Sequence, residues 1–351
     1  MSTKIIHQVI NDFDPLEKRY TVLVIANVLE SIQNEDDFIL HTNFSEFFTR
    51  AEFATIISAI TEIFGYVRIF YSEIEFINFV LQNKKQIDPN LTIVYNFARD
   101  GFHEGKKSLI PAFCDLFNLK YTGSNPFVIS LLRNKFVFTK YLENMGILVP
   151  FSVKYEKYKK LDIKFPKYLK NLIAKNICEA ASVGMSNGNI INLFSTNDLD
   201  SKLKSLCDTM NTNELLLQEY IDGVECEVFL IKYKNNYIAF PPIALTLHNS
   251  TIITDSISEL YDYTFYPLSD NFSEEVCNKV CKTTELAASF LNIDNYARFD
   301  YRVDSNGNAY LIDIAGTPYL IRHSSVAYLF TNILNLNYTD IFRMLAALVF
   351  Q

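Results

Sequence analysis

ARFDYRVDSNGNAYLIDIAGTPYL, residues 297–320, is the stretch whose reading decides the fold. Asn306-Gly307 lies between two β-rich runs, the strongest short-range signal for a hairpin closed by a two-residue type I′ turn. Such a turn sets Ser305 opposite Asn308, Val303 opposite Tyr310 and Asp300 opposite Asp313. Side chains alternate along a strand, so Phe299, Tyr301, Val303, Tyr310, Ile312 and Ile314 share an apolar face. Arg298, Asp300, Arg302, Leu311 and Asp313 share the other. Directly opposed residues carry Cβ atoms roughly 4.5–5.5 Å apart, where like charges destabilise the pairing. Two arrangements relieve the two carboxylates. A cation between them reverses the sign of the interaction, and an oxygen-rich site of this kind suits Mg²⁺. Alternatively, Arg298 and Arg302 neutralise the pair on a solvated face.

Around this hairpin stands a chain of 351 residues, 49% hydrophobic and 21% charged, enough for a large core divided among two or three domains. The net charge of −8 gives no bulk electrostatic case for nucleic acid or an anionic membrane. KYEKYKKLDIKFPKYLK (154–170) is the local exception. Its interleaved basic and aromatic residues are of the kind that bind single strands, but an exposed linker and strand face is the preferred reading. No apolar run reaches membrane-spanning length, and the opening MSTKIIHQVINDFDPLEKR has no signal-peptide core. The six cysteines, at 114, 178, 207, 226, 277 and 281, form no C-x-x-C pair, which points to free thiols in a reducing cytoplasm.

The first third alternates strands and helices. YTVLVIANVL (20–29), YVRIFYS (66–72) and LTIVYNFA (91–98) read as strands. Between and after them come a helical run ending at Gly65, SEIEFINFVLQN capped by Ser72, and SLIPAFCDLFNL. This pattern predicts an α/β layer on a parallel sheet. Beyond YTGSNP the spacing predicts one helix over 130–146, strands LIAKN and IINLF, and a helix NDLDSKLKSLCDTM. A strand–turn–strand run over 215–240, a helix SEEVCNKVCKTTELAASFLN, the hairpin and a closing amphipathic helix TDIFRMLAALVF follow.

Four segments, taken in order, resemble the ATP-grasp superfamily and within it the D-alanine–D-alanine ligases and their amino-acid-ligase relatives. They are YTGSNPFVISLLRNKFVFTKYLENMGILVP, LIAKNICEAASVGMS, LLLQEYIDGVECEV and ARFDYRVDSNGNAYLIDIAGTP, and the resemblance spans roughly residues 90–325. It implies an α/β ATP-grasp fold with an N-terminal open parallel-sheet domain (1–124), a small central domain (125–216) and a C-terminal catalytic domain (217–351). It also implies ATP and Mg²⁺ as cofactors, and small carboxylate and amine substrates joined through an acyl phosphate. The alternative is a nucleotide-binding pseudoenzyme of the same fold. A homodimer is compatible with either.

The resemblance assigns roles residue by residue. Lys135 and Lys175 match the lysines that reach the ATP phosphates. EAASVGMS matches the loop that folds over the triphosphate through backbone N–H groups, with Glu179, Ser182 and Val183 in it and Ser182 also expected, with Arg298, at the catalytic centre. Gln218, Glu219, Tyr220 and Ile221 match the segment that meets adenine, and Glu225 the acid that holds the ribose. Asp300 and Asp313 match the metal carboxylates, and Arg298 the arginine beside the reacting carbonyl. Ser324 matches a substrate-carboxylate contact, flanked by Arg322 as a fixed charge and His323 as a candidate base. The chain also departs from the family pattern. Asp313 and Ala315 stand where the family has Glu and Asn, Tyr319 where it has Gly, and Ala181 where it has the serine that positions the first amino acid. The N-terminal glutamate that grips the first amine has no evident match, and residues 246–270 lack the usual lysine.

Overall fold

A computed structural model describes residues 2–13, 20–31, 44–180, 182, 184–248 and 250–351. Its first sheet contains β1 (Thr21–Ala26), β2 (Arg68–Phe70), β3 (Thr92–Phe97) and β4 (Lys120–Tyr121), all parallel, in the order β2-β1-β3-β4. TIVYNF is buried at every position, as a parallel strand covered on both faces must be. The crossovers are the helices Arg50–Phe64, Glu73–Asn83 and Leu109–Phe117. Ser72 caps the second by accepting from the Glu75 N–H, as the sequence predicts. The first starts at a Thr49–Glu52 capping box, several residues later than its apolar spacing suggests.

The second sheet is antiparallel, with β5 (Ser152–Glu156), β6 (Asn171–Asn176), β7 (Ile190–Asn192) and β8 (Glu214–Glu219) in the order β5-β8-β6-β7. The helix Leu199–Thr209 covers it through Leu203, Leu206 and Cys207. In the Lys/Tyr segment, Lys154 pairs with Glu214, Lys157 with Asp208 and Lys159 with Glu156. Those lysines are therefore not a free basic face.

The third sheet contains β9 (Val224–Tyr233), β10 (Asn236–Ala239), β11 (Ile243–Leu247), β12 (Tyr263–Pro267), β13 (Tyr296–Val303) and β14 (Ala309–Ala315), ordered β12-β11-β9-β13-β14 with β10 against β9. The helix Glu274–Leu291 packs on one face through Val280, Ala287 and Ala288. The closing helix Tyr338–Val349 buries Ile341, Phe342, Met344, Leu345 and Leu348 in a core shared with β1, β3 and β9, and Tyr95 donates its hydroxyl to the Phe342 carbonyl at 2.7 Å. The first and third sheets are thereby held by one continuous apolar core. Among the described residues no helix is long and apolar enough to cross a membrane, and all six cysteines are free thiols.

Two local expectations are corrected. The helix expected over 130–146 is two helices, Pro126–Arg133 and Lys135–Asn144. Asn134 breaks it, leaving helical geometry (φ −95°, ψ 91°) and capping the second helix by accepting from the Val137 N–H. The hairpin also differs near its tip. Asp300 does oppose Asp313, but Val303 pairs with Ala309, and a register shift between Asp300 and Tyr301 absorbs the difference. The Asp304 carboxylate collects the N–H groups of Asn306 and Asn308, which favours a longer loop over the two-residue turn. The bulge exchanges faces: Leu311 joins Phe299 and Tyr301 in the core, and Ile312 lines the cleft beside Asp313.

Candidate functional site

Where the three sheets meet, a cleft of about 510 Å³ opens, a size typical of small-molecule sites. The break at Asn134 starts a helix at Lys135, whose N–H donates to the Ile177 carbonyl at 3.1 Å. Its Nζ donates to the Glu179 carbonyl at 2.7 Å and lies 3.3 Å from Asp313. Lys175, on β6, donates at 2.9 Å to Gln218 on the neighbouring β8, and Gln218 passes the bond on to Ser152 at 3.3 Å. Burial pushes the Lys175 ammonium down to about 8, with Asp313 and Glu225 opposing the shift. Two lysines, Lys135 from the first turn of a helix and Lys175 from β6, thus face one carboxylate, Asp313. Burial alone would raise that carboxylate, but Lys135 and Lys175 hold it below its usual value.

At the hinge between the second and third sheets, the N–H groups of Glu219 and Tyr220 are taken by the carbonyls of Phe151 (2.7 Å) and Asn171 (3.0 Å). Gln218, Glu219, Tyr220 and Ile221 line the cleft together with Glu225. Arg302 does not neutralise the aspartates as one reading of the hairpin had it. It reaches Glu225 at 3.3 Å, the Thr251 carbonyl at 2.9 Å and the Gly223 carbonyl at 2.8 Å, and lies 5.3 Å over the Tyr220 ring. It therefore organises the hinge. Gly223 passes so close to β13 that an added Cβ would fall 2.1 Å from the Val303 oxygen.

Arg298 forks onto Asp300, with Nε 2.8 Å from Oδ1 and Nη2 2.7 Å from Oδ2, and also meets Glu227 at 3.2 Å. Glu227 was not singled out from the sequence. Its signal is the alternation in ECE, which puts Glu225 and Glu227 on one face of β9. One guanidinium therefore serves two buried carboxylates. Burial, reinforced by Glu227 against the pull of Arg298, pushes Asp300 up to about 8. Burial raises Glu227 as well, against the pull of the same guanidinium. With Asp313 opposite Asp300, two carboxylates from adjacent strands face each other across the hairpin, a donor set with the chemistry of a divalent-cation site. Among the described residues no three acidic, His or Cys side chains converge as an all-protein cage. Two carboxylates suit Mg²⁺ whose remaining ligands are phosphate oxygens and water.

Ser182 lines the cleft in left-handed backbone geometry, φ 55°. Val183 and Ala181 lie outside the described residues. Arg322 is exposed and stacks 4.5 Å over Tyr338, away from the cleft lining, so it does not make the expected substrate contact. His323 does face the cleft, boxed by the rings of Tyr261, Tyr263 and Phe265 at 5.1, 5.1 and 5.4 Å, and burial lowers its pKa. Ser324 lines the cleft, but its hydroxyl donates to Ile321 O at 2.7 Å and accepts from Ala327 N at 3.1 Å, capping the short helix that follows. That hydroxyl is already spent on structure.

No family model matches the chain. It is similar to the D-alanine–D-alanine ligase of Marinomonas sp., 23% identical over 238 residues, 67% of this chain and 72% of that protein. It is similar also to the D-alanine–D-alanine ligase of Wigglesworthia glossinidia brevipalpis, 26% identical over 266 residues, 70% and 67% of the two chains. Among solved structures, the ATP complex of the Bacillus anthracis D-alanine–D-alanine ligase superposes with a TM-score of 0.65 at 15% identity, covering 94% of this chain and 97% of that one. At such identity the structural likeness speaks to fold alone.

Proposed function

We propose that this chain, a D-alanine–D-alanine ligase-like ATP-grasp protein, is an ATP-dependent ligase that joins a carboxylate to an amine through an acyl phosphate. One observation carries the reading: Lys135 from a helix, Lys175 from β6 and two opposed aspartates, Asp300 forked by Arg298 and Asp313 facing the lysines, converge on one cleft. In the proposed reaction Lys135 and Lys175 offset the charge of the triphosphate, so that a carboxylate can approach its terminal phosphorus. Glu225, steadied by Arg302, meets the ribose hydroxyls, and the Gln218–Ile221 hinge borders the base. Asp300 and Asp313 hold Mg²⁺, which when bound offsets charge on the phosphates. The Arg298 contacts use Nε and Nη2, leaving the N–H groups of Nη1 for the oxyanion formed when the amine attacks. The division into 1–124, 125–216 and 217–351 puts the nucleotide between the last two parts and the substrates where all three meet. Free thiols support a reducing, cytoplasmic setting.

ADP release by the purified full chain is the test. Release that requires ATP, Mg²⁺, a carboxylate and an amine supports the ligase. Tight ATP binding without turnover across amino acids of both stereochemistries would favour the pseudoenzyme instead.

A further inference from the structure

Beside the ATP-facing lysines, the cleft has a second charged wall that the proposed reaction does not use. Its centre is Glu46, 1% exposed, which receives Lys106 Nζ at 2.8 Å, Arg133 Nη1 at 3.4 Å and the Lys107 ammonium. Arg99 completes the wall, its guanidinium held 4.8 Å from the Phe48 ring and 4.1 Å from the Tyr319 ring, with Nη2 donating to Thr317 O at 3.3 Å. Three cations therefore surround one buried carboxylate with Arg99 as a fourth in the wall, each of the four less than a tenth exposed. Glu179 adds partial compensation at 3.4 Å from Lys106 and 3.8 Å from Arg133. The count still leaves an excess of positive charge. Nε of Arg99 and both Nε and Nη2 of Arg133 are buried without a hydrogen-bond partner. Arg99, Lys107 and Arg133 line the cleft, whereas Lys106 is absent from its lining.

Buried donors left unpaired on a charged group are costly, and a fold retains them where a ligand supplies the missing acceptor. Guanidinium forks are matched to carboxylates. We propose, building on the ligase reading above, that Arg99, Lys107 and Arg133 receive a second carboxylate on the substrate, so that the enzyme acts on an acidic amino acid or a similar dicarboxylate. Position favours substrate over nucleotide. Arg99 and Lys107 follow β3 and Glu46 follows β1, at the carboxyl ends of parallel strands where open α/β sheets bind small ligands. The residues assigned to the nucleotide come mostly from the second and third sheets. Tyr319 fits the same scheme, since its ring covers Arg99 and restricts that guanidinium on one face. Burial, with Arg99 and Arg133 adding to it against the paired Glu46, pushes Lys107 down to about 7.

The test measures ADP release with ATP, Mg²⁺ and hydroxylamine as a generic amine, comparing glutamate with glutamine, aspartate with asparagine and phosphoserine with serine, each in both stereochemistries. The expected result is a kcat/KM for the dicarboxylate about 10²-fold or more above its amide, the scale set by losing a charge-matched contact. Arg133→Met should collapse that ratio and Arg133→Lys restore part of it. Should the variants not fold, the wild-type comparison decides alone. Turnover with equal preference for acid and amide overturns the inference and leaves the ligase reading intact. A preference for phosphoserine above the dicarboxylates overturns the carboxylate assignment. Weaker ATP binding in Arg133→Met with an unchanged acid-to-amide ratio assigns the wall to the nucleotide and also overturns it. If nothing turns over, calorimetric binding of glutamate but not glutamine to the ATP-loaded chain upholds the inference while the ligase reading fails; no glutamate binding ends both.

Discussion

The Tyr261 hydroxyl donates to the Glu52 carboxylate, tying the segment between β11 and β12 to the first turn of the helix Arg50–Phe64. Both residues line the cleft. Glu52 keeps its other oxygen on the Thr49 N–H and hydroxyl, so removing Tyr261 leaves its capping box intact. Tyr261→Phe should therefore cost only about 1–2 kcal/mol of stability. Amide exchange over residues 255–262 should speed up well beyond that of the helix Arg50–Phe64. Equal protection in variant and wild type would show that the tie does not hold the segment down.

The opposed aspartates predict the same loss from either substitution. Asp313→Asn removes a charge that Lys135 and Lys175 stabilise, and Asp300→Asn releases the Arg298 fork to Glu227 alone. Each should lower Mg²⁺-dependent ADP release by about 10²–10³-fold, the usual effect of losing one directed electrostatic contact at a reacting centre. EDTA should abolish release in the wild type, and the Mg²⁺ concentration giving half-maximal rate should rise in both variants. Turnover that survives both substitutions would discard the metal assignment.

Lys175 makes nucleotide affinity depend on pH in a stated direction. Its folded-state pKa of about 8 lies below the unperturbed lysine value of about 10.4. Below pH 8 the ammonium is charged and pairs with phosphate; above it the proton must be taken up on binding. ATP affinity should then be level up to about pH 8 and fall above it by up to about tenfold per pH unit. Lys175→Arg stays charged throughout, so the fall above pH 8 should be absent when ATP is titrated by calorimetry without Mg²⁺. A wild-type profile equally flat would refute this.

Gly223 gives a purely steric prediction. An alanine methyl there would sit 2.1 Å from the Val303 carbonyl oxygen, which belongs to backbone and has no rotamer to yield. The hinge strand must shift, taking with it the Gly223 carbonyl that accepts from Arg302. Gly223→Ala should lose about 1–3 kcal/mol in denaturant unfolding and weaken nucleotide binding through Glu225. A stable variant with unaltered binding would place the slack elsewhere in the hinge.

The sequence alone determined what depends on local pattern. The central parallel strands β1 and β3 are apolar runs buried on both faces but for Thr21 at the start of β1, and Ser72 caps its helix because its oxygen meets an orphan N–H. The opposition of Asp300 and Asp313 was legible because pairing and alternation are short-range rules, and it survived a bulge that those rules could not foresee. Only the tertiary structure decided where long side chains end. Arg302 leaves the aspartates for the hinge, Arg322 turns outward onto Tyr338, and Ser324 spends its hydroxyl on a cap. Glu46, the segment carrying Arg99, Lys106 and Lys107, and Arg133 come from three separate parts of the chain with no spacing to connect them. Their meeting is set by how separate layers share a core, and a charge finds its partner through space rather than along the chain.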